Sequence, residues 1–231
     1  MKIIFLNVWQ GKIRDNLEQF LKSQSPDTDI FCFQEAYEKT KPLLRGCLSN
    51  FQEMVATKPM AFGDNFFAQA TYIKKSIPIL RSETLLKDRN ETGLGLTVHI
   101  RHQEHDLYIC NFHGQTYPLE DNKLDSSTRL KQSEAIIKSL QSKTGSKIIG
   151  GDFNILPEAE SIRMFEENGY RDLIKEFKIP TTRNRLSLDL YPEKQYFSDY
   201  CFVSPDLKVK NFSVPNIEVS DHLPLVLELE L

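Results

Sequence analysis

Gly151-Asp152-Phe153-Asn154 follows the run Ser146-Lys-Ile-Ile-Gly150 and precedes Ile155-Leu156-Pro157. A short strand ending there presents Asp152 and Asn154, two residues apart, on one face. Gly150 and Gly151 let the backbone bend and let another group approach closely. A carboxylate beside an amide on a rigid strand end suits holding and activating a water next to a metal-bound phosphate. The pair alone fits an ordinary strand-to-loop turn equally well, because Asp and Asn are frequent there. Other apolar runs end in the same way. Ile3-Ile-Phe-Leu6 ends in Asn7, Asp29-Ile-Phe-Cys-Phe33 in Gln34-Glu35, and Leu107-Tyr-Ile-Cys-Asn-Phe112 in His113-Gly114. Val219-Ser220-Asp221-His222 leads into the last apolar run. Ligands of open α/β sheets bind outside the carboxyl ends of the strands, so these positions can converge on one cleft.

The chemistry of the set is coherent. Asn, Glu and Asp offer hard oxygens of the kind Mg²⁺ and Mn²⁺ prefer. Two histidines can contact phosphate oxygens. No Ser or Cys sits in a nucleophile elbow, and there is no Walker-type phosphate loop. The set therefore points to metal-assisted hydrolysis with water as attacker.

The elements that must position these residues alternate along the chain. Strand-like segments fall at 2–8, 28–34, 66–73, 94–100, 106–112, 146–151, 198–204, 208–214 and 223–230. Ile13, Leu17, Phe20 and Leu21 recur with helical spacing, as do Leu130, Ile136, Ile137 and Leu140 within 127–141, a stretch that begins near Ser126 and is stopped by Gly145. Pro157 suits the first turn of a helix running to about Asn168 and ended by Gly169. Strand and helix alternate at both ends, with consecutive strands between, which predicts an α/β fold with mixed sheets covered by helices. Segments 87–93, 114–126 and 180–196 read as exposed loops. No repeat or linker divides the chain, and one domain over 1–231 is expected.

Composition narrows the function classes. Of 231 residues, 40% are hydrophobic and 26% charged, as in ordinary globular proteins, and the formal net charge of -3 excludes a non-specific nucleic-acid coat. Cys32, Cys47, Cys110 and Cys201 are widely spaced and match neither a disulfide framework nor a zinc site. The N-terminal run is too short for a signal segment and no run reaches transmembrane length, so a cytoplasmic enzyme without an obligate protein partner is expected.

The ordered set Asn7, Gln34-Glu35, His113, Gly151-Asp152-Phe153-Asn154, Ser198-Asp199-Tyr200 and Ser220-Asp221-His222 resembles the endonuclease/exonuclease/phosphatase superfamily. Deoxyribonuclease I, exonuclease III, inositol polyphosphate 5-phosphatases and neutral sphingomyelinases belong to that group. The resemblance implies a four-layer sandwich of two mixed β-sheets flanked by α-helices, and phosphoester hydrolysis with Mg²⁺ or Mn²⁺. It implies Glu35 as the principal metal ligand, aided by Asn7 and Asp221. Asp152 would activate or orient the water, and Asn154 would fix substrate and water geometry. His222 would contact the scissile phosphoryl group, oriented by Asp199, and His113 would add a phosphate contact.

One departure bears on the substrate. Abasic-site nucleases carry an acidic residue two positions after the Asn, where this chain has Trp9. Asn7-Val8-Trp9-Gln10-Gly11 looks more like the start of neutral sphingomyelinases. Trp9 would stack on a base or headgroup, or fill the core below the cleft; core filling is the simpler expectation. Arg183, in the 180–196 segment, is a candidate anion-binding residue. His113 has a plainer alternative as a strand-end histidine bonded to backbone. Arg129 and Gln132 read as surface residues, Lys74-Lys75 as a solvated face, and His99, His102 and His105 as a solvated hairpin tip. The expected substrate is a phosphodiester, most simply in nucleic acid. A phosphorylated small molecule or phospholipid headgroup stands second, and a catalytically silent binding protein on the same fold third.

Overall fold

Strand β1 (Lys2–Asn7) alternates Ile3 and Phe5 toward one side with Ile4 and Leu6 toward the other, and all four are buried. Strand β2 (Ile30–Gln34) does the same with Ile30 and Cys32 against Phe31 and Phe33. Strands apolar on both faces must be covered on both faces. The chain meets this demand in layers, as the computed structural model shows for residues 1–59, 66–87, 93–115, 123–190 and 196–231.

The first sheet has the order β11 (Lys208–Ser213), β12 (Leu225–Glu230), β1, β2, β4 (Phe66–Lys74), β3 (Phe51–Pro59). The second runs β5 (Ile79–Leu85), β6 (Leu94–His102), β7 (His105–His113), β8 (Ser146–Asp152), β10 (Asp199–Val203), β9 (Arg171–Asp172). Both are mixed: β1 and β2 are parallel, as are β7 and β8, and the other pairs are antiparallel. Ile3, Phe5, Ile30 and Cys32 meet Ile109, Ile148 and Cys201 in the core between the sheets.

Helices close the outer faces. Leu17, Phe20 and Leu21 of α1 (Arg14–Gln24) and Leu43 and Leu44 of α2 (Lys41–Cys47) cover Ile4, Leu6, Phe31 and Phe33. On the far side, α3 (Ser127–Gln141) and α4 (Glu160–Glu167) bury Ile136, Ile137, Leu140, Ile162 and Phe165. The Phe165 ring stacks on Phe202 of β10 at 4.5 Å. Short helices α5 (Leu173–Glu176) and α6 (Arg185–Leu190) complete the set among the described residues. The result is the expected four-layer sandwich. Among the described residues no helix is long and apolar enough to cross a membrane.

Each expected strand is present, and Ser126 caps α3 by accepting the Arg129 N–H. Three strands were not anticipated: β3, β5 and β9 lie at sheet edges, where one face meets solvent and polar residues break the apolar pattern. The helix after Pro157 starts later than expected, at Glu160, because Asp125 reaches across and accepts the Glu160 and Ser161 N–H groups. Arg129 and Gln132 are not surface residues. Arg129 is buried and donates to the Leu124 carbonyl, and Gln132 accepts the Gln115 N–H. Residues 180–190 are no exposed loop: Thr182, Arg183, Asn184 and Ser187 are buried. Within the loops read at 87–93, 114–126 and 180–196, residues 88–92, 116–122 and 191–195 lie outside the described residues. His102 and His105 pair across the tip of the β6–β7 hairpin, as expected, whereas His99 lies within β6, stacked on Tyr108 and 3.2 Å from Asp106 Oδ1.

Candidate active site

The register of the two parallel pairs places the chemistry. Asn7 lies beside Gln34 at the ends of β1 and β2, and His113 lies beside Asp152 at the ends of β7 and β8. Just past these ends the backbone turns sharply. Trp9, Glu35 and Asn154 all take left-handed conformations, with φ of 45°, 54° and 55°. Side chains seldom adopt that region without compensation, and such residues cluster where a fold holds groups for function.

Asp152 is the hub, 2% exposed. Its Oδ1 accepts the Ser198 hydroxyl at 2.7 Å and the Asn154 N–H at 2.9 Å. Lys123 Nζ in turn donates to Ser198 Oγ at 3.0 Å. Oδ2 accepts from Asn7 Nδ2 at 3.0 Å and lies 3.7 Å from His113 Nε2 and 3.6 Å from His222 Nε2. One oxygen is anchored and the other is aimed at two imidazoles. Burial would raise this carboxyl, but His222, His113, Lys123 and Arg183 together outweigh it and hold Asp152 well below the usual carboxylate range.

His222 is equally tied. Its Nδ1 contacts both Asp199 oxygens, at 2.9 and 3.0 Å, which places the ring proton there and leaves Nε2 toward Asp152. A carboxylate within an apolar strand needs such a partner. Burial pushes Asp199 up despite the imidazole beside it. For His222, burial and Arg183 favour the neutral ring, and Asp199, Asp152 and Asp221 outweigh them to raise it.

Segment 181–187 fastens this pair. Thr182 Oγ1 accepts the N–H groups of Ser198 and Asp199, while its carbonyl accepts the Leu223 N–H. Asn184 Nδ2 donates to the Ser220 carbonyl. Arg183 bridges to His222 by backbone pairing. Its guanidinium donates to Ser187 Oγ and, at 3.0 Å, to Asp221 Oδ2, with Nη1 2.5 Å from His222 Nε2. Arg183 is thus spent on protein groups in this state, unlike the open anion-binding residue the sequence suggested.

Asp152, Asp199 and His222 offer ligand atoms within 4.8 Å of one another. The short His222–Asp199 contact explains that grouping as a hydrogen-bonded pair. A second place that could hold a hard cation lies at the same Asp152 Oδ2, toward Glu35. Asn7 Nδ2 donates to both Glu35 Oε1, at 3.3 Å, and Asp152 Oδ2. The point between those two carboxylates therefore already favours positive charge, and two carboxylates suit Mg²⁺ or Mn²⁺. Asn7 itself presents its NH₂ there, because its Oδ1 accepts the Trp9 N–H at 3.0 Å. It organises the carboxylates here, whereas a ligand role would require the amide oxygen.

The remaining expected residues are placed as follows. Both ring nitrogens of His113 are buried with no hydrogen-bond partner among the described residues, which removes the backbone-bonded alternative. The Asn154 Nδ2 is buried and similarly unpartnered. Trp9 does not fill the core: it is half-buried, and Lys12 Nζ sits 4.1 Å from its ring centroid. The sequence reading missed Lys123, Thr182, Ser187 and the role of Ser198. Only Ser198 had a signal, its place directly before Asp199.

The fold has close relatives among solved structures. An endonuclease/exonuclease/phosphatase from Bacteroides vulgatus aligns with a TM-score of 0.81 at 16% identity, covering 100% of this chain and 98% of that one. The mannosyl-6-phosphatase of Bacteroides thetaiotaomicron gives 0.77 at 17%, covering 100% of both chains. A humanized D. rerio TDP2 gives 0.78 at 14%, covering 100% and 99%. No curated protein sequence matches the chain. The Endonuclease/Exonuclease/phosphatase family profile matches residues 4–222, nearly the whole chain, and the protein belongs to that family of phosphoester hydrolases.

Proposed function

We propose that residues 1–231 act as one catalytic unit that hydrolyses a phosphodiester, most simply in nucleic acid, by attack of water. The observation that carries this reading is the division of labour on Asp152. Ser198 and the Asn154 N–H immobilise Oδ1, while Oδ2, held by the Asn7 amide, faces His113 and His222. A carboxylate kept ionised below its usual range and fixed in direction can accept a hydrogen bond from a water and orient it for attack. His222, steadied by Asp199, lies with Nε2 against Arg183 Nη1 and 3.6 Å from Asp152 Oδ2, which sets the imidazole at the edge of the site where phosphoryl charge would develop. His113 and the Asn154 amide add donors with no competing protein partner among the described residues. Glu35 and Asp152, arranged by Asn7, would hold Mg²⁺ or Mn²⁺, which supplies Lewis-acid stabilisation of phosphoryl charge when bound.

A phosphorylated small molecule or phospholipid headgroup is the second reading. The formal charge of -3 and the similarity to a mannosyl-6-phosphatase favour it. One panel separates the two: single- and double-stranded DNA, RNA, inositol phosphates, sphingomyelin and a bis-aryl phosphate, each with Mg²⁺ and with Mn²⁺. Nucleic-acid cleavage as the fastest reaction is expected. Preference for a headgroup or sugar phosphate moves the assignment to the second reading, and inertness toward the whole panel overturns both.

A further inference from the structure

Asp221 is 4% exposed and Arg183 2%, and they meet as an ion pair at 3.0 Å. Such a pair has paid a large desolvation cost and resists separation, because freeing either charge leaves the other buried and uncompensated. Ser220 Oγ donates to the other Asp221 oxygen at 3.3 Å, so both oxygens have donors. The guanidinium has partners on three sides: Ser187 Oγ accepts from Nε and Nη2, Asp221 accepts from Nη2, and Nη1 lies against the His222 ring. His222 is consequently held between Asp199 on one side and Arg183 on the other. Glu35 is in a different position, half-buried and with only the Asn7 amide as hydrogen-bond donor among the described residues.

We propose that Arg183 is a positioning residue that fixes the His222 ring and claims the Asp221 carboxylate, so that Asp221 is the arginine's counter-ion and not a ligand of the catalytic cation. The activity arm of its test rests on the proposed hydrolysis; the other two arms do not.

On the full chain, Mn²⁺ binding followed by electron paramagnetic resonance should weaken less than threefold in Asp221→Asn and at least tenfold in Glu35→Gln. A loss of threefold or more in Asp221→Asn overturns the counter-ion assignment. Thermal midpoints read the pair without metal or substrate. Arg183→Met should lower the midpoint or prevent folding, and Arg183→Met combined with Asp221→Asn should recover it, since no charge is then left unpaired. A double variant no more stable than Arg183→Met overturns the pairing. With a bis-aryl phosphate, the double variant should keep KM within threefold and lose at least tenfold in kcat, because His222 is fixed on one side only. Unchanged kcat overturns the positioning role. Inactivity of the unmodified chain counts against the hydrolytic reading alone, and the binding and stability arms still decide the fate of Arg183 and Asp221.

Discussion

Followed from β11 and from β9, the two sheets pass through the same sequence of neighbours: antiparallel twice, parallel once, antiparallel twice. Each sends the carboxyl ends of its parallel pair into the cleft. Their contributions differ in kind. The second sheet delivers His113, Asp152 and Asp199, all at most 2% exposed, and the hydrogen bonds of Asp152 and Asp199 are made by groups that cannot turn away. The first delivers Asn7 and Glu35, and Glu35 is half-buried at a left-handed turn. On the proposed function, the groups that orient water and phosphate would have to be aimed before substrate arrives, which fits their place in the solid part of the fold. A proposed metal ligand such as Glu35 would have to admit a hydrated ion, which fits its greater exposure.

This contrast can be broken experimentally. The largest effect is expected on the solid side: Asp152→Asn or His222→Ala should reduce turnover of a bis-aryl phosphate by about 10³-fold, with circular dichroism unchanged. A loss below tenfold would remove their proposed roles. On the open side, Glu35→Gln should cost about 10²-fold at low Mn²⁺ and regain much of it at high Mn²⁺, whereas Asp152→Asn should not. Equal recovery by both would erase the distinction between the halves. Ser198→Ala removes one donor from Oδ1 and should lower kcat about tenfold with KM nearly constant; a change confined to KM would place Ser198 in substrate binding.

The smallest effect lies away from the cleft, at Asp172, which caps α5 by accepting the Ile174 and Lys175 N–H groups. Burial raises its carboxyl to about 6. A folded value above the unfolded one means that its contribution is complete near pH 4 and is lost as pH rises through 6. Asp172→Asn keeps the acceptor and loses the buried charge. Its stability relative to the parent should therefore improve between pH 4 and 7.5, on the order of 1 kcal/mol. A pH-independent difference in urea midpoints would show that the charge is not the cause.

Ends of apolar runs were readable in the sequence and marked Asn7, Glu35, His113 and Asp152, with His222 just ahead of the last run, whereas Asp199 at the start of β10 was marked only by the family resemblance. The partners that hold them were not readable. Lys123 and Ser198 support Asp152 from segments 29 and 46 residues away, and no local pattern marks such contacts. Thr182 and Arg183 sit in a stretch whose polarity resembles a loop, yet their polar groups are satisfied by β10 and the 220–223 turn. Trp9 misled for the converse reason: its size suggested burial, but a left-handed turn carries it outward beside Lys12. Edge strands β3 and β5 were hidden by the solvated face that edges require.

One contact between the sheets lies at the root of the cleft. A Cβ on Gly150 would lie 2.8 Å from the buried ring of Phe5, so nothing larger than glycine fits at that point. Phe5 stands two residues before Asn7 on β1, and Gly150 two residues before Asp152 on β8. The ring therefore works as a spacer gauge one step below the 3.0 Å hydrogen bond that joins Asn7 to Asp152. A methyl group at Gly150 would be a wedge at the root of the jaws. It would spread the carboxylates apart without touching either of them.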